Sequence, residues 1–194
     1  MKPKIGVLAL QGDFEAHRAP LERAGAEVTE VRSAAELEEV DGLVIPGGES
    51  TTMLKLLEDE QLLEPLCRFG GAKPIFGTCA GAILLAAEVL NPRQPSLSLM
   101  DLTLERNGYG RQIDSRIAHI QISGRPAEAV FIRAPVIRRV GADARVLAEY
   151  NNSPVLVEQG KHLAATFHPE LSPENRVHEQ FVDKVRASLS EQLN

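Results

Sequence analysis

Apolar residues along this chain follow two alternating rhythms. Ile5 to Leu10 is a continuous apolar run of the kind a doubly covered strand shows, and Phe14 to Ala24 follows at helical spacing until Gly25 stops it. The alternation then returns, with Val28 to Val31 as strand, Ala35 to Val40 as short helix, Leu43 to Ile45 as strand and Thr51 to Glu64 as helix. Pro74 to Gly77 is the next predicted strand and Cys79 to Glu88 the next helix. Repeated strand–helix units predict a mainly parallel sheet with helices on both faces, because parallel neighbours need crossover connections and these are right-handed.

After Asn91-Pro92 the texture changes. Leu97 to Leu104, Ile113 to Ile122, Ala129 to Ile132, Arg145 to Tyr150, Val155 to Gln159 and Leu163 to Phe167 read as strands joined by short turns, a smaller antiparallel section. Asn91 to Ser96 reads as a surface loop. In Asn175 to Leu189, the residues Val177, Phe181, Val185 and Leu189 recur every fourth position, so one helical stripe can pack back on the sheet. The expected fold is therefore α/β, a doubly wound three-layer sandwich with a mainly parallel central sheet and a smaller antiparallel section. One domain is expected to span 1–194, with no internal repeat or linker.

Composition narrows the function. With 43% hydrophobic and 25% charged residues the chain can bury a real core. A net charge of −6 and the lack of any Lys/Arg stripe argue against a nucleic-acid partner. Cys67 and Cys79 are too few and too far apart for a disulfide framework or a metal site of paired cysteines, which points to a reducing cytoplasm. Met1-Lys2-Pro3-Lys4 runs directly into an apolar strand, without a signal-peptide core or a membrane-length apolar stretch, so neither export nor membrane anchoring is expected.

The chemistry concentrates in three segments. Gly77-Thr78-Cys79-Ala80-Gly81 lies between a predicted strand and a predicted helix and reads as a nucleophile elbow in cysteine form. Glycines on either side relieve the crowding of such a turn, and the N-terminal end of the helix favours thiolate over thiol. Cys79 is thus expected to be activated and exposed, whereas Cys67 has no such context and reads as a buried small hydrophobe. Far downstream, the strand ending at Phe167 leads into His168-Pro169-Glu170. Alternate residues of an extended chain share a face, so Glu170 can orient the His168 imidazole, with Pro169 holding the extension. His17, His119, His162 and His178 lack both contexts and read as surface or strand residues. The third segment, Pro46-Gly47-Gly48-Glu49-Ser50-Thr51, ends a strand and starts a helix. The amides of Gly47 and Gly48, with that of Ala80, are candidates for an oxyanion hole, and Ser50 or Thr51 for the helix cap.

A strand followed by Pro-Gly-Gly, a Gly-x-Cys-x-Gly elbow and a late His-Pro-Glu, in this order, resembles the class I, triad-type glutamine amidotransferases over nearly the whole chain. Longer strings are more specific: Leu8-Ala9-Leu10-Gln11-Gly12, Pro46 to Thr51, Arg106-Asn107-Gly108-Tyr109-Gly110-Arg111-Gln112 and Phe131-Ile132-Arg133-Ala134-Pro135. They are similar to the glutaminase subunits of pyridoxal 5'-phosphate synthases. The resemblance implies a flavodoxin-like fold and a triad of Cys79, His168 and Glu170. It also implies glutamine contacts on Gly47, Gly48, Glu49, Arg106, Ile132 and Arg133, hydrolysis of L-glutamine through a Cys79 thioester, and no metal or organic cofactor. Tyr109 stands where the family pattern has Phe and keeps the ring. On physical grounds Arg106 suits the α-carboxylate of a zwitterionic amino acid. No segment is left to consume ammonia, so a partner enzyme is expected. The resemblance implies a (β/α)8-barrel synthase subunit in a hetero-oligomer, with Gln11 near both site and partner and docking switching the glutaminase on.

Other readings share parts of the pattern. An amidotransferase subunit serving another pathway, such as histidine or anthranilate synthesis, would keep the triad but not the Arg106 to Gln112 string. A non-catalytic module would keep the fold, against an intact Cys79, His168 and Glu170. A cysteine hydrolase of the same elbow type would act on another substrate.

Overall fold

The computed structural model describes residues 2–108 and 115–192. Its first half follows the apolar rhythm: β1 (Lys4–Leu8), a 3-10 turn (Glu15–His17) with α1 (Arg18–Arg23), β2 (Glu27–Val31), α2 (Ala34–Glu38) and β3 (Gly42–Ile45). Then come α3 (Ser50–Asp59), α4 (Leu63–Ala72), β4 (Ile75–Thr78) and α5 (Ala80–Leu85). The second half holds β5 (Ala86–Leu90), β6 (Met100–Glu105), β7 (Ser115–Ile122), β8 (Arg125–Ile132) and β9 (Val136–Val140). After β10 (Arg145–Tyr150), β11 (Ser153–Gln159) and β12 (His162–Ala165), the chain makes a 3-10 turn (Pro169–Leu171) and ends in α6 (Arg176–Gln192).

The main sheet has seven strands in the order β10-β11-β12-β4-β3-β1-β2. β2, β1, β3, β4 and β12 are parallel neighbours, while β11 pairs antiparallel with both β12 and β10. Every residue of β3, β4 and β12 is buried, as central strands covered on both faces require. Successive side chains serve opposite layers: Leu43, Ile45, Ile75 and Ala164 join one core, and Val44, Phe76, Leu163 and Ala165 the other. The stripe foreseen on α6 packs into this second core through Val177, Phe181 and Val185, with Leu189 partly buried against it and Val182 joining them. Smaller sheets, β5-β6-β9 and the β7–β8 hairpin, flank the main one. Among the described residues no helix is long and apolar enough to cross a membrane.

Several elements differ from the sequence reading. The helix expected over Thr51 to Glu64 breaks, because Gln61 adopts a left-handed φ of 55°. There, Leu62 N–H donates to the Leu57 carbonyl (2.8 Å) and Gln61 N–H to that of Glu58 (3.0 Å), a Schellman closure completed by the buried Leu62. A second helix, α4, then fills the stretch before β4. The helix expected to reach Glu88 stops at Leu85, where Ala86 turns extended (ψ 149°) and begins β5 alongside β6. Finally, β9 was not foreseen, since its central Arg138 and Arg139 face outward and interrupt the apolar run; β8 also starts earlier, at Arg125, paired with β7 along its length.

Candidate active site

Parallel neighbours end together, and here the carboxyl ends of β3, β4 and β12 are adjacent, with Ile45 beside Gly77 and Ala165 beside Thr78. Residues just beyond them, Pro46 to Glu49, Cys79 and His168 to Glu170, therefore converge at one edge, the usual ligand-binding edge of open α/β sheets.

Cys79 sits at the start of α5 with φ 51° and ψ −104°, strained backbone of the kind that an elbow imposes on its nucleophile. A Cβ on Gly77 would lie 2.5 Å from the Gly81 backbone, and one on Gly81 would lie 2.0 Å from the Ile45 carbonyl oxygen. The flanking glycines are thus required by close approach of chain to chain. Cys79 N–H donates to Ala165 O (2.8 Å), and its thiol faces Ile132 O at 3.8 Å. The side chain is not exposed as expected: Cys79 is only 6% accessible, because β8 and the elbow close over it. Cys67, expected to be buried, lies exposed on α4.

His168 and Glu170 meet as predicted but by another route. Pro169 begins a 3-10 turn instead of prolonging an extended segment, and the turn brings His168 Nδ1 to 2.7 Å from Glu170 Oε1. The His168 ring lies against Gly47, where a Cβ would fall 2.4 Å from Cε1. Burial alone would lower the His168 pKa, but hydrogen bonding to Cys79 and Glu170 and the charges of both outweigh it and raise the value to about 10. The imidazole therefore carries its proton at neutral pH.

Around this corner runs a polar arc. Glu49, not Ser50 or Thr51, caps α3: its carboxylate accepts from Thr51 N–H (3.1 Å) and Thr52 N–H (2.8 Å), since a carboxylate complements the helix N-terminus better than a hydroxyl. Desolvation raises the Glu49 pKa, yet hydrogen bonds from Thr52 and Thr51 hold it below the usual value. Arg106, at the end of β6, reaches Glu49 Oε1 (3.1 Å) and Thr51 Oγ1 (2.9 Å). Gln11 Oε1 accepts Glu49 N–H at 3.0 Å, and the Gly47 carbonyl accepts Asp13 N–H at 3.3 Å. A trans peptide sends its N–H opposite to its carbonyl, so the Gly48 amide points away from Asp13. Ile132 ends β8 with its carbonyl on the Cys79 thiol; Arg133 follows, exposed, with left-handed φ 45°. Ala80 opens α5. Tyr109, Gly110, Arg111 and Gln112 lie outside the described residues.

The chain's origin follows from comparison. The profile of the SNO glutamine amidotransferase family matches residues 7–187. This chain belongs to the SNO glutamine amidotransferase family. It is 56% identical over 190 residues to the pyridoxal 5'-phosphate synthase subunit PdxT of Solibacter usitatus, covering 94% of this chain and 99% of that one. The PdxT subunit of Koribacter versatilis is 56% identical over 185 residues, covering 94% and 96% of the two chains. Among solved structures, a glutamine amidotransferase superposes with TM-score 0.88 at 45% identity, over 94% of this chain and 98% of that one.

Two histidines, His17 and His178, correct the sequence reading, being buried and in helical turns, whereas His162 opens β12 as a strand residue. His17, His162 and His178 are buried, His17 and His178 completely, while His119 alone is an exposed strand residue. His162 Nδ1 accepts Ile75 N–H at 3.2 Å on the far side of the sheet. His17 and His178 lie directly behind Glu170. Their signal in the sequence was positional, since His178 stands four residues before the core residue Val182 on the inward side of α6.

Proposed function

We propose that this chain hydrolyses L-glutamine to L-glutamate and ammonia, with Cys79 as nucleophile, His168 as proton carrier and Glu170 as the carboxylate that orients it. The observation carrying this reading is the 2.7 Å contact of His168 with Glu170 beside the strained cysteine elbow, in a member of a glutamine amidotransferase family. Attack of the thiolate on the side-chain amide carbon forms a γ-glutamyl thioester as the C–N bond breaks. His168, already protonated, gives its proton to the departing ammonia, and is then neutral and able to take one from water. That water cleaves the thioester, releasing glutamate and restoring the thiolate–imidazolium pair. Amides of Gly47, Gly48 and Ala80 are assigned to the oxyanion of both steps; each donor of this type is worth about 3 kcal/mol in the transition state.

Glutamine is a zwitterion, and the arc offers both complements: Arg106 for its carboxylate and Glu49 for its ammonium, with Gly47, Gly48, Ile132 and Arg133 lining the approach. The relatives' names place them in pyridoxal 5'-phosphate synthase, which supports a synthase subunit as the taker of the ammonia. That this subunit is a (β/α)8 barrel and that the pair works in the cytoplasm are carried over from the resemblance and the composition. Gln11, bonded to the Glu49 amide, is the residue through which docking is read at the site.

Ammonia release by the full chain, with and without the synthase subunit, tests the reading. Cys79→Ala is expected to abolish turnover while glutamine still binds, and the subunit to raise wild-type activity. Substantial turnover by the alanine variant would sink the triad; full activity alone, unchanged by the subunit, would sink the coupling.

A further inference from the structure

The carboxylate that orients His168 has a second oxygen, and what faces it is unusual. Glu170 Oε1 takes His168, but among the described residues Oε2 is buried without a hydrogen bond. His17 Nε2 lies 3.6 Å from it, and both side chains are wholly inaccessible. His17 comes from the 3-10 turn before α1, and its Nδ1 lies 3.0 Å from Nε2 of His178 on α6. Thr78 Oγ1, one residue before the nucleophile, is 3.5 Å from the same His17 Nε2. Phe76 closes the back, meeting both rings edge-on at 6.4 and 5.9 Å.

One pair of tautomers satisfies this arrangement. If His178 donates its Nε2–H to His17 Nδ1, His17 carries its proton on Nε2 and aims an N–H at the carboxylate. His178 Nδ1, which has no hydrogen-bond partner among the described residues, is then a bare lone pair. The opposite choice would turn a lone pair of His17 toward Glu170 and bury an orphan N–H on His178, the costlier defect. At 3.6 Å the His17 contact is an ion–dipole interaction, half an ångström or so longer than a made hydrogen bond. Catalytic hydrogen bonds are often this long before substrate binds and tighten in the reacting complex.

We propose that His17, itself oriented by His178, is a positioning residue that fixes Glu170 Oε2 and so holds Oε1 on His168 through both proton transfers. This rests on the reading of Cys79, His168 and Glu170 as the triad. A neutral donor suits the task. A cationic His17 would compete with the His168 imidazolium for the same carboxylate, and the surroundings prevent it: burial first, then the charges of His178 and His168, hold its pKa well below the ordinary value. The charged or titratable groups bearing on the pair are thus Glu170, His168 and, from α1, Arg23 against His178.

The test compares His17→Leu, which fills the space without a donor, with His17→Gln, whose amide N–H2 stands near the position of Nε2. Glutamine hydrolysis is measured for the full chain together with the synthase subunit, and the His168–Glu170 bridging proton is followed by downfield 1H NMR. Leu is expected to lower kcat roughly tenfold or more, the usual effect of removing an outer partner of a working histidine, with KM for glutamine within about twofold. Gln is expected to restore most of that loss, and the bridging resonance to broaden or shift in Leu but not in Gln. Unchanged kcat and resonance in folded His17→Leu would overturn the proposal. So would equal losses in Leu and Gln that track a lowered Tm, since packing would then explain both. The resonance is read whether or not glutamine is hydrolysed: a Leu-specific shift in a chain whose wild type does not turn over glutamine indicts the glutaminase reading and leaves the positioning intact.

Discussion

The corner that holds Cys79, His168 and Glu170 and the arc that holds Glu49 and Arg106 are built on different terms. The corner residues are 6%, 7% and 8% accessible and stand at the ends of neighbouring parallel strands, so the sheet itself decides where they meet. The arc is looser: the Glu49 side chain is 53% and the Arg106 side chain 17% accessible, and each is placed by the other and by a helix end. An ion pair exposed to this degree is worth about 0–1 kcal/mol, so a zwitterionic ligand can replace it at little cost. The buried pair cannot be exchanged so cheaply. On the proposed roles, bond breaking would sit in the stiff part of the molecule, and recognition in the part that can rearrange.

Breaking the stiff part should have the largest effect. In Glu170→Gln the acceptor at Oε1 can become an amide N–H2, which faces the wrong tautomer of His168 and no longer stabilises its cation. A fall in kcat of about a thousandfold is expected, with KM for glutamine nearly unchanged. Steady-state kinetics decide it; a loss confined to KM would move Glu170 from the chemistry to binding.

The same contrast recurs in how buried histidines titrate. His168 has its pKa raised to about 10, so its contribution to stability is full below the unfolded value near 6.5 and is lost as pH rises through about 10. His162 and His178 run the other way, lowered by burial to about 4 and about 3, and His17 is also lowered by burial. Their contribution is full above pH 6.5 and drains as pH falls toward the folded values, because the unfolded chain then binds more protons. Each adds at most about 1.4 kcal/mol of lost stability per pH unit in that window. Urea unfolding between pH 7 and 5 should show a slope that His162→Gln reduces increasingly as pH falls, by nearly one proton at pH 5; an unaltered slope would mean that His162 is already protonated in the folded protein.

Much of the stiff corner was legible in the sequence, and the reason is local. Gly77, Cys79 and Gly81 are contiguous, and the elbow they imply depends on backbone crowding that any strand-to-helix turn of this type must relieve. His168 and Glu170 were legible as a pair but not in conformation: a two-residue spacing suits a strand, and nothing local announces the 3-10 turn that forms. The unforeseen break at Gln61 has the same origin. Its left-handed cap is made by a residue other than glycine and is stabilised by the burial of Leu62, a tertiary effect. His17 and His178 were the least legible, since they are 161 residues apart in sequence and only folding stacks α6 behind the first turn. Recognition residues of the arc came from resemblance, because an arginine and a glutamate far apart in sequence carry no periodic signature.

Softer perturbations sharpen the contrast from the side of the arc. Arg106→Ala removes the charge assigned to the substrate carboxylate and frees Glu49 and Thr51 Oγ1. KM for glutamine should rise roughly 30-fold, about 2 kcal/mol, a typical value for a hydrogen bond to a charged group, while kcat falls less than threefold. A large fall in kcat at saturating glutamine would place Arg106 in the transition state and erase the division between the regions.

Glu49 has two roles within the arc, and so has the smallest but most diagnostic effect. Its carboxylate caps α3 through Thr51 N–H and Thr52 N–H, and the same oxygens are assigned to the substrate ammonium. Glu49→Ala removes the cap and the charge together, and should cost about 1 kcal/mol of stability, the usual value of an N-cap, besides weakening glutamine binding. Glu49→Gln keeps one of the two cap acceptor oxygens and loses the other together with the charge. It should retain part of the stability, the charge at a helix N-terminus being worth about 0.5 kcal/mol, but bind glutamine as poorly as the alanine variant. Denaturant midpoints and KM measured on the same two proteins separate the roles. If Gln restored binding as well as stability, the carboxylate would be acting only as a cap, and the ammonium would have to be held elsewhere in the arc.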